Sequence, residues 1–342
     1  VISHAMKHDS SHPLSPFWDL ALNNIKASVL DMALRDDWFA VIDRHRTLSA
    51  IAEHLGKSAQ WLRPILDLLW ALGLVDQAPK RPDEYVLTPM AHRYWLTTSP
   101  EYYGDAWRFR YRSLSDFTPC EDPFSSAVSS ERQLRDRWAE AADSHIAREQ
   151  AILTAPRAVE VIRRLPEYPR LHHFLDLGGG PGLVALKLAQ KTERLQGRVF
   201  DFPESASVAK ARIDTAGLSN RLTVQGGDIN AGGFGDSYDL IWASSVLHFV
   251  ADPGRTLNDI YTALAPGGVF VSAHAEIAQN PRSARNTLAY YLPLRLRGKP
   301  VWSSGSLADC LSRAGFVRVE SYVQGGFPMV PLTVVIARRP LT

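Results

Sequence analysis

The sequence predicts a doubly wound α/β domain in its second half, preceded by a mainly helical, winged-helix-like domain. Three observations carry this. The apolar run Phe174-Leu175-Asp176-Leu177 ends in Gly178-Gly179-Gly180-Pro181-Gly182, and helix-compatible sequence begins at Leu183. A strand, a turn free of side chains and a helix, in that order, bring bare backbone close to a ligand. Apolar stretches then alternate with helical ones past Asp201, Asp228, His248 and Val271, the pattern of successive strand–helix units in a parallel sheet. Upstream, two short helices are followed by two strand-like stretches around Lys80-Arg81-Pro82-Asp83.

Length and composition bound the reading. A chain of 342 residues exceeds the usual single core, so two domains are expected. A net charge of +2 is too small to argue for nucleic acid by itself. Cys120 and Cys310 form neither a metal-ligand spacing nor a disulfide framework, which points to the reducing cytoplasm. No stretch approaches the roughly 20 apolar residues that span a bilayer, so no membrane is expected. Residues 1–15 are polar and rich in His and Ser, and are expected to be disordered. Their His4, His8 and His12 lack flanking structure, and no metal site is predicted there or elsewhere in the chain.

Residues 16–100 are expected to form the winged-helix-like domain. Apolar residues recur at helical spacing from Phe17 to Phe39, and glycines close the helices Thr47–Leu55 and Ser58–Leu72. The strands are expected at Leu74–Gln77 and Glu84–Thr88. A DNA-binding regulator is one reading of such a module. The second helix, however, carries one Arg and an apolar half with Leu66, Leu68, Leu69 and Trp70, whereas groove reading needs polar side chains and flanking cations. This helix is built for burial. Residues 101–154 are expected to provide linking helices and a pocket wall. Trp107 and Tyr111 suit a flat, partly polar substrate or plain interface packing, and a helix from Glu131 to Ala151 carries Trp138 and His145.

Residues 155–342 form the expected α/β domain. Its turn has the spacing G-x-G-x-G, without the later glycine of the dinucleotide fingerprint or the Lys-Ser/Thr of a P-loop. Asp176 would repel a phosphate but suits an ammonium, and Asp201, 25 residues later, stands where such folds hold ribose. S-adenosylmethionine is a nucleoside that carries an amino-acid ammonium.

With Asp201 in FDFP, Asp228 and Ile229 in GGDI, the YDLIWASSVLH segment ending at His248, and APGGVFV from Ala265, the chain resembles the S-adenosylmethionine-dependent small-molecule O-methyltransferases of the caffeate and acetylserotonin type. The resemblance implies a Rossmann-like class I methyltransferase domain and a homodimer joined through the N-terminal domain. It implies S-adenosylmethionine at Asp176, Gly178, Gly180, Asp201, Phe202, Asp228, Ile229 and Ser244, with S-adenosylhomocysteine as product. His248 falls on the general base, and Trp107, Tyr111, Trp138, His145, His274, Tyr291 and Trp302 are candidates for the acceptor pocket. The acceptor implied is a small aromatic or heteroaromatic metabolite, methylated at oxygen first and at sulfur, nitrogen or carbon as alternatives. Two family glutamates that flank the base fall at His274 and near Pro300, a lysine near the adenine falls at Ser244, and Glu276 shares the strand face of His274. Those departures keep open a cofactor-retaining enzyme that does hydroxylation, decarboxylation or pericyclic chemistry.

Overall fold

The computed structural model describes residues 12–78, 81–117 and 140–342, and the chain forms two compact units, residues 1–113 and 114–342. The stretch before residue 12, the turn residue Lys80, Cys120 and Trp138 lie outside the described residues.

The N-terminal unit opens with α1 (Ser15–Arg35) and α2 (Trp38–His45), so helix already begins inside the stretch expected to be disordered. Next come α3 (Leu48–Leu55) and α4 (Ala59–Ala71). Thr47 and Ser58 cap them by accepting the backbone N–H of Ala50 and Trp61, each cap satisfying a donor that a helix end leaves orphaned. Phe39, Ile42, Ile51, Leu62, Leu66, Leu69 and Tyr85 make the core. Trp70, read from sequence as a buried residue of α4, is exposed; it follows Leu69 by one position and so turns away from the 62/66/69 stripe. Arg63, the only cation of α4, pairs with Asp83 at 2.5 Å. Strands β1 (Val75–Ala78) and β2 (Arg81–Leu87) pair antiparallel. Pairing includes Arg81 opposite Ala78, so residues 81–83, read from their composition as turn, are strand. On the helix Gly104–Ser115, Arg108 meets Asp31 of α1 at 2.9 Å and Trp107 stacks on Tyr111 with ring centroids 5.0 Å apart.

In the C-terminal unit the helix expected to end at Ala151 does not end there. A helix over His145–Glu149 passes through a π-helical turn, Gln150–Thr154, into Ala155–Arg163. A seven-stranded sheet follows: β3 (His173–Leu177), β4 (Gln196–Asp201), β5 (Leu222–Gly226), β6 (Tyr238–Ser244) and β7 (Leu264–His274) are parallel neighbours in the order β5-β4-β3-β6-β7. A short parallel pair, β8 (Glu276–Ile277) and β9 (Trp302–Ser303), follows β7. The closing hairpin, β10 (Val317–Gln324) and β11 (Leu332–Arg338), adds antiparallel strands beyond β7. Alternate residues serve two cores: Phe174, Leu240, Trp242, Val269 and Val271 face one side, while Leu175, Leu177, Ile241, Ala243 and Phe270 face the other. This two-sided burial explains why the strands are nearly continuous apolar runs. Succession runs outward from β3 to β5 and then returns to β6 beside β3. The carboxyl ends of β3 and β6 therefore flank the switch point where open sheets of this kind bind ligands.

The last strand is fastened to the segment before the first. Arg338 on β11 meets Glu167 at 2.8 Å, with both side chains under a tenth exposed. Burial pushes against the charge on Glu167, yet the guanidinium holds its carboxyl below the usual range. Removing Glu167 leaves the buried guanidinium with the more exposed Glu320 at 3.1 Å and the Arg318 carbonyl at 3.0 Å. Glu167→Gln is therefore expected to lower unfolding stability by about 1–2 kcal/mol in a urea titration at pH 7.

Candidate active site

The turn after β3 runs in left-handed backbone at Gly178, Gly180 and Gly182, with φ of +69°, +54° and +75°. At Gly178 the need for glycine is also steric, because a Cβ there would fall 2.4 Å from the side chain of Val246 in the loop after β6. Gly180 is different. A Cβ would meet only Gln150 Nε2, at 3.5 Å, so main chain lies open on that side. Gly182 caps the helix Leu183–Lys191.

Two carboxyls support this turn. Asp201, at the end of β4, accepts the Gly180 N–H at 2.8 Å and the Phe202 N–H at 2.7 Å, one on each oxygen. Each oxygen has a second lone pair, so the carboxylate retains acceptor capacity. Burial raises its pKa. Asp176 sits deeper: it is 2% exposed, packs beneath Gly179 and accepts the Ala185 N–H at 3.2 Å. Burial first, and the neighbouring Asp201 as well, push it up to about 7. The sequence reading put Asp176 at a ligand's ammonium; the structure sets its carboxyl under the turn, tying the turn to the helix behind it.

The remaining cofactor candidates gather at the adjoining strand ends. Phe202 precedes the helix Pro203–Thr215. Asp228 uses one oxygen to hold the N–H and the side-chain amide of Asn230 at 2.8 and 2.9 Å, and Ile229 is buried. Ser244 closes β6. Gln150, which sequence reasoning missed, donates its Nε2 to the Gly179 carbonyl at 3.3 Å, while its Oε1 is buried with no partner. Nothing in the residue itself signals this; the π-helical turn that starts at Gln150 is the structural cue, since such turns are frequent at functional sites. A cradle without side chains, an acceptor carboxylate tied to Gly180 and an unpartnered amide oxygen fit a nucleoside with an amino-acid tail.

His248 follows the loop after β6 and is 1% exposed. Its Nδ1 lies 3.3 Å from the Pro300 carbonyl. A carbonyl only accepts, so Nδ1 carries the proton and Nε2 keeps a free lone pair, buried and unpartnered. Position 300, which as proline offers no acid, thus supplies the orienting acceptor through its main chain. Tyr291 packs on the His248 ring at 4.8 Å between centroids. His274 packs on it at 5.3 Å but is itself fully buried, its Nε2 accepting the N–H of Val246 and Leu247. The expectation of a pocket wall at His274 is thereby corrected: its free lone pair is spent on the loop. Glu276 accepts the Gly305 N–H at 3.2 Å and makes no hydrogen bond to His248. Trp302 is buried among Leu307 and Leu311, with its Nε1 unpartnered. Trp107 and Tyr111 belong to the N-terminal unit, and His145 begins a helix of the C-terminal unit. Among the described residues no three His, Cys, Asp or Glu side chains gather to hold a metal ion, and no helix is long and apolar enough to cross a membrane.

Residues 175–270 match a family model described as a methyltransferase domain. The chain is 29% identical over 172 residues to the L-tyrosine C(3)-methyltransferase of Streptomyces lavendulae, covering 48% of this chain and 47% of that protein. It is 26% identical over 311 residues to the tetracenomycin polyketide synthesis 8-O-methyl transferase TcmO of Streptomyces glaucescens, covering 86% and 87%. The chain thus spans about half the length of the first relative and most of the second. Human N-acetylserotonin methyltransferase, solved in complex with S-adenosylmethionine, superposes with a TM-score of 0.70 at 20% identity, covering 98% of this chain and all of that one.

Burial lowers the pKa of His248 from 6.5 to about 4, only partly offset by the Pro300 carbonyl. The unfolded imidazole takes up its proton first as pH drops, so stability falls across the window from 6.5 to about 4. In urea titrations at pH 7 and pH 4.5, the folded chain should lose about 2 kcal/mol through this group. His248→Gln should lose correspondingly less.

Proposed function

We propose that this chain, an S-adenosylmethionine-dependent methyltransferase of the small-molecule O-methyltransferase type, methylates a hydroxyl of a small aromatic acceptor with His248 as general base. The observation that carries the reading is the tautomer of His248. With its proton on Nδ1 and held by the Pro300 carbonyl, it offers Nε2 as an acceptor at the carboxyl end of β6, beside the glycine turn. S-adenosylmethionine, when bound, supplies an activated methyl on a sulfonium. Asp201 with the main chain of 178–182 would hold it, with Phe202, Asp228, Ile229 and Ser244 around its adenosine end and Gln150 near its amino-acid end. The chain's own part is alignment and dryness, which contribute on the order of 7–11 kcal/mol, and the removal of one proton.

A base depressed as far as His248 favours an acidic hydroxyl, such as a phenol or enol conjugated to a carbonyl, since transfer efficiency depends on matched pKa values. A deprotonated phenol is nucleophilic at oxygen and also at the ring carbons beside it. Relatives named for polyketide O-methylation and for methylation of tyrosine at C(3) are consistent with one base serving either atom. Tyr291 and Trp302, on the segment that also supplies the Pro300 carbonyl, are proposed to line the acceptor side, with His145 of the same unit as a further candidate. The expected test is a panel of acylated phenols and enols assayed for S-adenosylhomocysteine release. At least one should turn over, and His248→Ala should slow it by roughly 10²- to 10⁴-fold. Cofactor uptake by calorimetry with no S-adenosylhomocysteine from any acceptor would instead favour the non-methylating reading.

The N-terminal unit is proposed to serve as a winged-helix-type dimerisation domain in a cytoplasmic homodimer. Supporting this, α1 leaves Phe17 and Trp18 about two thirds exposed (66% and 67%), with Leu20 and Ile25 also uncovered. Large apolar side chains exposed together along one helix suit an interaction surface. A Phe17→Asp, Trp18→Asp double variant should sediment as a monomer where the parent chain sediments as a dimer.

A further inference from the structure

Beyond the end of β6 the hydrogen-bond ladder to β7 continues by an unusual means. The Ser245 N–H donates to the Ala273 carbonyl at 3.1 Å. The next two amides, of Val246 and Leu247, both donate to Nε2 of His274, at 3.1 and 2.9 Å. The imidazole thus stands in for a strand carbonyl one step further along. Two amide donors on one nitrogen require that it be unprotonated, so His274 is neutral with its proton on Nδ1. Ser245 is held at φ +53°, a left-handed conformation that a non-glycine residue keeps only when its surroundings enforce it. The three bonds to β7 supply that enforcement.

The clamped loop touches both halves of the proposed site. Val246 fills the space that a side chain at position 178 would need, its Cγ2 lying 2.4 Å from an ideal Cβ there. Leu247 is followed directly by His248. We infer that His274 is a positioning residue that seats the cofactor turn and aims the base at once, through the two amides it holds. The inference rests on the reading of 178–182 as the cofactor turn and of His248 as the base.

The variants His274→Gln and His274→Asn test it in the full chain, with S-adenosylhomocysteine as the probe. The Gln carbonyl oxygen ends about where Nε2 does, whereas the Asn oxygen falls one bond short. His274→Gln should keep the parent affinity in calorimetry, and ¹⁵N-histidine NMR should show His248 as a single Nδ1–H tautomer. His274→Asn should bind about tenfold or more weakly, as expected when buried donors lose their acceptor, and His248 should show mixed tautomers. A folded His274→Asn variant that retains both the affinity and the single tautomer overturns the inference. If neither variant folds, the parent spectrum decides, because a protonated Nε2 on His274 is incompatible with the clamp. A parent chain that takes up no S-adenosylhomocysteine refutes the cofactor reading instead, while the His274 signal still reports on the clamp itself.

Discussion

The site depends on how closely the loop after β6 approaches the turn after β3. These strands are neighbours in the parallel sheet, so their carboxyl ends stand about 4.8 Å apart, and the two chain segments leaving them compete for one volume. The competition is resolved by having no side chain at 178 and a branched one at 246. Given that contact, the turn lies with its main chain open at Gly180, Asp201 can reach the Gly180 amide, and His248 is carried to the same crevice. A larger residue at 178 would have to displace the loop that carries His248, so the proposed cofactor turn and the proposed base stand or fall together.

The same desolvation acts in opposite directions on the two kinds of titratable group around the crevice. It drives Asp176 up to about 7 and His248 down to about 4, in each case favouring the uncharged form. Burial therefore works against charge at both groups. Under the proposed reading, a cationic ligand would favour the ionised form of Asp201, and a hydroxyl acceptor would meet an imidazole whose pKa is lowered to about 4. Neither effect needs an ion pair with another side chain.

What was legible in the sequence was what is local. The run from Phe174 to Leu183 shows its strand, turn and helix because each is set by its own residues, and the Asp201 position follows from one strand–helix repeat. His248 was legible as the residue ending the YDLIWASSVLH strand and loop. Less could be read where the acting group is main chain or depends on register. Pro300 was discounted for lacking an acidic side chain, yet its carbonyl orients His248. Gln150 matters because a π-helical turn begins there, which composition does not signal. His274 looked like a pocket wall because a strand face was visible but not the direction of two amides 27 and 28 residues upstream. In the N-terminal unit, the stripe Leu62, Leu66 and Leu69 was legible by its period, while Trp70 was misplaced by hydrophobicity alone.

The use of a peptide carbonyl to orient His248 has a consequence for how this site tolerates change. A glutamate in that role is lost with one codon, whereas a main-chain oxygen survives any substitution that leaves the backbone path intact. Outward-facing side chains of the segment from Pro281 to Ser303 could therefore vary without moving that oxygen, whereas Tyr291 and Trp302 are packed inward. The segment is not free to move away: lifting it would release the ring to rotate, so the proposed base would be oriented only while that strap is seated.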